Sequence, residues 1–524
     1  MPLLQANNIS FRFDNGDTLF KNISCSLTDR RTALIGRNGI GKSLLASLLM
    51  GELKPTDGSV VINASLAKYS QLPSQLRDGE CTVAEYLQID EILKAIEQIE
   101  AGSCDNHWFE LVGDQWDLNN SISKELIEMG LPGDVYTQCK QLSGGQLARL
   151  QLWQLFQSDA ELLALDEPSN HLDSEGRLWL MEEMRKYSGS IFLISHDRQL
   201  LNQMDQIWEL SNLGLKRYGG NYDFYYRQKS QDTLALERQI KNVQQQQRFL
   251  EEQAQKNKEK AEQRASKGTK ARKEGSQAKI ILDGMRDSAT ASAANQSKNE
   301  RGRREFLKQQ SESLNEQYEQ VKTQKMYLTG SEMTGKRLVN FIQAQLPFGS
   351  STPINMQVDS NTKLHLQGRN GCGKSTLLRV LLGQERLIGG ESNINTSVVY
   401  LDQHFSLLEP RLSMLECLMS LCDGLLETDA RILLAGIGFR KDTIYRCVDH
   451  LSGGEKMKLS MLIVSNQPEQ PLLLLDEPDN HLDIDSKCLL ASTLNQYKGA
   501  FILVSHDEDF VEESGVKQKL LLSR

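Results

Sequence analysis

The segment LALDEPSNHLD at residues 163–173 returns as LLLDEPDNHLD at 473–483, 310 positions later. A chain that repeats a motif of this length must build one structural unit twice, and that constrains its fold more than any single motif. The repeat runs much further. GRNGIGKS at 36–43 matches GRNGCGKS at 368–375 with an offset of 332, and Gln71 and Gln403 keep that offset. LSGGQ at 142–146 and LSGGE at 451–455 are 309 apart, and LISHD at 193–197 and LVSHD at 503–507 are 310 apart. The offset falls by 23 between the glutamine and LSGG, so the first copy carries an insertion of that size within about 85–125. Within it, CDNHWFELVGDQW brings three aromatics and His107 together, which reads as local packing rather than chemistry. At 524 residues the chain exceeds one hydrophobic core, so two or more domains are expected.

Each copy carries phosphate chemistry. The pattern G-x-x-x-x-G-K-[ST] follows an apolar segment (RTALIG, KLHLQG) and precedes a helical one (LLASLLM, TLLRVLLG), the context in which it forms a P-loop. Its glycines let backbone N–H groups approach phosphate oxygens, and the helix N-terminus favours their charge. The nucleotide-binding set in the first copy is Gly36, Asn38, Gly39, Gly41, Lys42, Ser43 and Leu44. In the second it is Gly368, Asn370, Gly371, Gly373, Lys374, Ser375 and Thr376. Lys42 and Lys374 are expected to reach the β- and γ-phosphates of a bound nucleotide, and Ser43 and Ser375 to ligate Mg²⁺. Asp166 and Asp476 end apolar strands and complete each Mg²⁺ site. Glu167 and Glu477 follow them, placed to orient or deprotonate the attacking water. A purely structural Asp-Glu pair is disfavoured, because unpaired buried carboxylates are costly. His196 and His506 end a further apolar strand in the same SHD context, which favours contact with the γ-phosphate over a packing role. Gln71 and Gln403 join the catalytic set through their shared register.

Between the copies, residues 221–346 contain no proline and none of these motifs. Leu236, Ile240, Val243, Gln247, Leu250 and Ala254 recur at alternating spacings of four and three, as do Leu307, Gln310, Leu314, Gln317, Val321, Gln324 and Leu328. The spacing predicts two amphipathic helices packed as an antiparallel hairpin, with RASKGTKARKEGSQ and DSATASAANQ at its tip. Residues 256–273 hold eight Lys/Arg against two Glu, in a chain of net charge −9. An isolated charge run is usually a solvated face. At the tip of a hairpin in an acidic protein, RNA phosphate binding is the better reading.

Composition excludes other classes. No apolar run approaches the ~18 residues that a membrane-spanning helix needs. The opening MPLLQANNIS lacks the basic and apolar regions of a signal peptide. Nine cysteines with no CxxC suit reduced thiols rather than a disulfide or zinc framework. A cytoplasmic protein without membrane insertion is expected.

In this order, the P-loop, glutamine, LSGG, Asp-Glu, the following Asp173 or Asp483 and the histidine resemble the motifs of ATP-binding cassette ATPases. The resemblance covers two full cassettes. It implies an α/β fold: two P-loop cassettes in tandem, residues 1–220 and 336–524, joined by a long α-helical hairpin linker at 221–335. It also implies a head-to-tail ATP sandwich within a monomer. Ser143 and Gly145 would face ATP at Lys374, and Ser452 and Gly454 would face ATP at Lys42. Phe13 and Phe348 resemble the aromatic that stacks on adenine. Two fused cassettes, EPSNHLD/EPDNHLD and the helical linker together resemble the ATP-binding cassette F family. That family implies a ribosome partner, with the linker reaching rRNA and tRNA near the exit site to modulate translation or relieve stalling or antibiotic inhibition. A transporter ATPase subunit would need a separate membrane partner. A DNA-directed cassette ATPase usually carries its coil inside a cassette rather than after one. A passive scaffold is disfavoured by both lysines and both glutamates being present.

Overall fold

In this computed structural model the described residues are 2–523 apart from 15, 70–80, 171, 274–297, 300, 316, 319–335, 370, 403–404, 423, 440, 468–470 and 481. Two compact units emerge: Met1–Asp223 together with Gln324–Arg524, and Phe224–Thr323.

The first unit holds both copies of the repeat, and each builds a three-stranded antiparallel sheet and a larger, mainly parallel one. In the first copy Leu4–Arg12 pairs antiparallel with Thr18–Leu27 on one side and Asp57–Ile62 on the other. The second sheet runs Leu66–Tyr69, Leu162–Asp166, Ser190–Ile194, Arg31–Gly36, Gln206–Ser211 and Gly214–Gly219, parallel except for its last pair. The second copy repeats this with Arg337–Gln345 between Ile354–Asp359 and Gly389–Ile394. Its parallel sheet runs Val398–Leu401, Leu472–Asp476, Phe501–Val504, Lys363–Gln367 and Gln518–Leu521. Helices cover both faces of a parallel sheet, so its strands read as continuous apolar runs. Leu472, Leu473, Leu474 and Leu475 are all fully buried, as are Ile191, Phe192 and Leu193.

Strand order positions the site. The strand that enters the P-loop lies beside the strand that leads to the histidine, and that strand lies beside the one ending in Asp-Glu. All three are parallel, so their C-terminal ends open on one edge, where α/β sheets bind ligands.

The insertion is visible by comparing the copies. Thr82 and Ser413 each cap a helix with a full capping box, and each lies beside an isolated bridge, Thr82 to Gln138 and Ser413 to Cys447. Helix Leu118–Glu128 of the first copy corresponds to Glu427–Gly436 of the second. Helices Asp90–Glu100 and Asn106–Val112 have no counterpart and are the added residues. His107 stacks near Trp108 (5.1 Å between centroids) and Phe109 near Trp116 (5.9 Å).

The second unit is a helical hairpin. Its first helix, Tyr222–Lys273, spans 52 residues and begins in the first unit. Val243, Leu250 and Leu307 form a small buried cluster with Leu314 against it. The Gln247 side-chain amide donates to the Leu307 carbonyl at 3.0 Å and the Tyr318 hydroxyl donates to Glu237 at 2.7 Å, a crossing order that makes the helices antiparallel. Val321, Gln324 and Leu328 lie outside the described residues. Among the described residues no helix is long and apolar enough to cross a membrane.

Candidate functional site

Each P-loop turns on a glycine that only glycine suits. Gly41 (φ 95°) and Gly373 (φ 102°) sit in the left-handed region immediately before helices Lys42–Leu49 and Lys374–Leu381. A Cβ on Gly41 would come within 2.5 Å of Leu19 Cδ2, and one on Gly373 within 2.9 Å of the Phe348 carbonyl oxygen. The lysines fold back over the loop they belong to. Lys42 Nζ donates to the Gly36 and Arg37 carbonyls at 2.9 and 3.1 Å, and Lys374 Nζ to those of Gly368 and Arg369 at 2.6 and 3.3 Å. Burial lowers the Lys42 pKa, against the pull of Glu167, Asp483 and Asp166.

The acids show a feature that motif matching did not reveal. Glu167 and Glu477 both have φ 49°, a left-handed backbone that costs a non-glycine residue on the order of 1 kcal/mol. Each is pinned there by its own N–H, which donates to the end of the neighbouring strand: Glu167 to Ile194 at 2.8 Å and Glu477 to Val504 at 2.9 Å. His196 Nε2 stands 3.7 Å from Glu167 Oε1, and His506 Nε2 stands 3.5 Å from Glu477 Oε1. Those separations are too long for good hydrogen bonds. Accordingly, among the described residues, Glu167 Oε1, both His196 ring nitrogens and His506 Nε2 are buried without a protein partner.

Burial sets the electrostatics. It pushes the Glu167 carboxyl up to about 7, with Lys42 opposing and Asp166 reinforcing. It likewise raises Glu477, Asp166 and Asp476. It drives His196 well below its usual value and His506 down to about 4, so both rings are neutral at pH 7. Buried polar groups are normally satisfied. A set of neutral imidazoles, carboxylates and a lysine left open on one cavity suits a triphosphate and its divalent cation. Ser43 and Asp166, which lie close enough for the hydroxyl to lower the carboxyl's pKa, fit the donor set of Mg²⁺.

The cavities are shared between the two copies. One of about 460 Å³ at Lys42 is walled by Asn38, Gly39, Gly41, Ser43, Leu44, Asp166, Glu167 and His196 from the first copy. The second copy adds Asp479, Asn480, Leu482 and Lys487. Another of about 310 Å³ is lined by Ser143, Gly144 and Gly145 of the first copy and Gly371, Glu477 and His506 of the second. Ser143 and Gly145 therefore share a cavity with the second P-loop. Ser452 and Gly454 do not line the cavity at Lys42. Ser452 caps helix Gly453–Ser465 and a Cβ on Gly454 would meet Ser486 Oγ at 2.6 Å. The second copy reaches the first P-loop instead through Asp483, whose Oδ2 accepts from the Asn38 N–H at 3.0 Å. Arg198 adds a further tie, donating to both oxygens of Glu513 at 2.5 and 3.0 Å.

Gly368 directly follows the second P-loop strand Lys363–Gln367, and Ser375 and Thr376 lie in the first turn of helix Lys374–Leu381. Phe13 packs edge-on to Phe11 (5.5 Å) and remains 41% exposed, whereas Phe348 is 71% exposed with its carbonyl against Gly373. Gln71, Gln403 and Asn370 lie outside the described residues. Sequence reading also passed over Arg177 and Lys487, which line the cavities. Their signal was present: each is a cation four residues beyond the repeated aspartate, Asp173 or Asp483. Tyr400 was missed as well; its hydroxyl donates to Asp476 Oδ2 at 2.9 Å, whereas the first copy has Lys68 at that strand position, paired with Glu52.

Comparison with known proteins agrees with this geometry. The family described as ABC transporter matches residues 20–170 and 351–480. The ATP-binding protein Uup of Escherichia coli (strain K12) is 30% identical over 93% of this chain and 75% of its own length. The ribosome protection protein VmlR of Bacillus subtilis (strain 168) is 28% identical over 99% of this chain and 87% of its own. ABC transporter F family member 5 of Arabidopsis thaliana is 28% identical over 95% of this chain and 72% of its own.

Proposed function

Because the chain belongs to the ATP-binding cassette F family and is an ATPase on that ground, we propose that it is a cytoplasmic, ribosome-associated ATPase acting as a monomer. Its two cassettes share two ATP sites, and the helical linker contacts rRNA and tRNA to modulate translation or relieve stalling or antibiotic inhibition. The observation that carries the ATPase half is the shared walling of both cavities, with Asp483 of one cassette bonded to the P-loop of the other. The ribosome half draws on the likeness to VmlR over 99% of the chain and on the basic run at 256–273.

In this reading Lys42 and Lys374 move from their loop carbonyls to the β- and γ-phosphates, a short swing for a flexible side chain. Ser43 with Asp166, and Ser375 with Asp476, would hold Mg²⁺, which when bound neutralises phosphate charge. Glu167 and Glu477 orient water for in-line attack and take up its proton, helped by the burial that raises their affinity for it. His196 and His506, neutral and buried beside them, offer one N–H each to the γ-phosphate. Ser143, Gly145, Ser452 and Gly454 present helix N-termini as the cassettes close. Gln71 and Gln403 complete the catalytic set, and Phe13 and Phe348 stack on adenine.

The test is sedimentation of Glu167→Gln, Glu477→Gln protein with ribosomes across a salt series, with and without Lys267, Lys270, Arg272 and Lys273 changed to Ala. ATP-dependent co-sedimentation with a salt slope reduced by the four alanines is expected, because fewer counterions are released. Absence of ATP-dependent binding would refute ribosome association. Identical salt curves would remove the linker's basic run from the contact.

A further inference from the structure

Arg177 lies on the first turn of helix Ser174–Lys186, four residues beyond Asp173. It belongs to none of the nucleotide motifs, yet its guanidinium is largely buried between the cassettes. One nitrogen serves two loops. Arg177 Nη1 donates to the backbone carbonyl of His506, in the second cassette, at 3.2 Å. The same atom stands 3.3 Å from Asp197 Oδ2, in the first. Asp197 directly follows His196, so a single side chain joins the loops that carry the two histidines. Arg177 lines both cavities, and its buried Nε has no hydrogen-bond partner among the described residues, leaving a donor for a phosphate oxygen.

The corresponding residue of the second cassette behaves differently. Lys487 Nζ lies 3.0 Å from Asp507 and 3.9 Å from Asp479, both in its own cassette. The first copy has Ser169 where the second has Asp479. In the second cassette, therefore, a second carboxylate draws the cation inward. In the first, the guanidinium is left to reach across.

We propose that Arg177 is a positioning residue acting in trans: the first cassette supplies it to hold the His506 loop at the γ-phosphate end of the second site, and Asp197 sets its aim. A carbonyl is a weak anchor for a cation that could otherwise swing into the cavity. The ion pair with Asp197 fixes the guanidinium plane, so the His506 loop is held in register when the His196 loop is in place. Asp197 is suited to this divided task. Its Oδ1 accepts from the Gln199 and Leu200 N–H groups and caps a short helix, leaving Oδ2 for Arg177.

The proposal rests on the reading of two shared ATP sites, and the experiment separates the two claims. Full-length Glu167→Gln protein reports turnover at the Lys374 site alone. In that background Arg177→Met is expected to lower kcat by about tenfold with KM within about twofold, the scale of one hydrogen bond from a charged donor. Asp197→Asn keeps the cap through its remaining oxygen and removes the ion pair with Arg177, along with the longer-range attraction to Lys487 at the other site. It is expected to lower kcat at the Lys374 site by about threefold, although Asp197 lies in the other cassette. Combined with Arg177→Met it should add nothing further, since Asp197 acts through Arg177. Turnover at Lys374 that ignores Asp197→Asn, or losses that multiply in the double variant, would overturn the proposal while leaving the two-site reading standing. A Glu167→Gln protein with no turnover at all would overturn the two-site reading and this proposal with it.

Discussion

Asp483 divides its carboxylate between two jobs, and the division makes a quantitative prediction. Oδ1 accepts from the Ser486 N–H at 2.8 Å and caps helix Ile484–Gln496 within its own cassette. Oδ2 accepts from the Asn38 N–H at 3.0 Å, on the P-loop of the other cassette. The group is 9% exposed, so solvent does little to weaken either bond. Losing the cap costs about 1 kcal/mol whether or not the cassettes are together. Losing the bond to Asn38 costs about 2 kcal/mol only when they meet, which is roughly thirtyfold in the equilibrium between separated and apposed cassettes. Asp483→Ala removes both bonds. Asp483→Asn keeps one oxygen for the cap and turns an N–H group toward the Asn38 N–H. Both variants should therefore lose cassette closure, but only Ala should also lower the melting temperature, by about 2–4 °C. Closure is measured by ATP titration of energy transfer between dyes on the two cassettes, in the Glu167→Gln, Glu477→Gln background. If Asp483→Asn closes like the parent while Asp483→Ala loses only thermal stability, the bond to Asn38 does not hold the cassettes together and the reasoning fails.

Two further outcomes follow from single side chains. Gly41→Ala places a Cβ 2.5 Å from Leu19 Cδ2 on a left-handed backbone; strain of about 1–2 kcal/mol should leave the chain folded and weaken nucleotide binding at Lys42 by about tenfold, read by titration with a fluorescent ATP analogue. Arg31 is buried and its guanidinium donates to the Met184, Tyr187 and Gly189 carbonyls at 2.7 Å each, closing the end of helix Ser174–Lys186 onto the P-loop strand; Arg31→Met should destabilise the first cassette by about 3 kcal/mol in denaturant melts.

The fold and most of the site were legible because their signals are local. A P-loop needs an apolar strand, glycines with left-handed backbones and a helix start within a dozen residues, and all are contiguous in RTALIGRNGIGKS and KLHLQGRNGCGKS. The added helices Asp90–Glu100 and Asn106–Val112 showed in a drop of register between the copies, since an insertion leaves everything beyond it shifted equally. What stayed hidden depends on how the copies meet. Arg177 reaches a carbonyl 329 residues away, and no periodicity encodes such a contact. The left-handed backbone of Glu167 and Glu477 was hidden for a different reason. Glutamate has no preference for it, and the hydrogen bonds its own N–H donates to the adjacent strand impose it. The difference between Lys68 and Tyr400 was visible as letters, but its effect on Asp476 required knowing which strand lies beside which.

In the proposed ATPase each ATP site is complete only when both cassettes contribute to it. Counting the nucleotides retained by the Glu167→Gln, Glu477→Gln chain after rapid gel filtration in ATP and Mg²⁺ decides this. Two ATP per chain are expected, with loss of both in Asp483→Ala, which removes the bond from one cassette to the P-loop of the other. Retention of both nucleotides by the Asp483→Ala chain would contradict this, because each cassette would then hold its ATP alone.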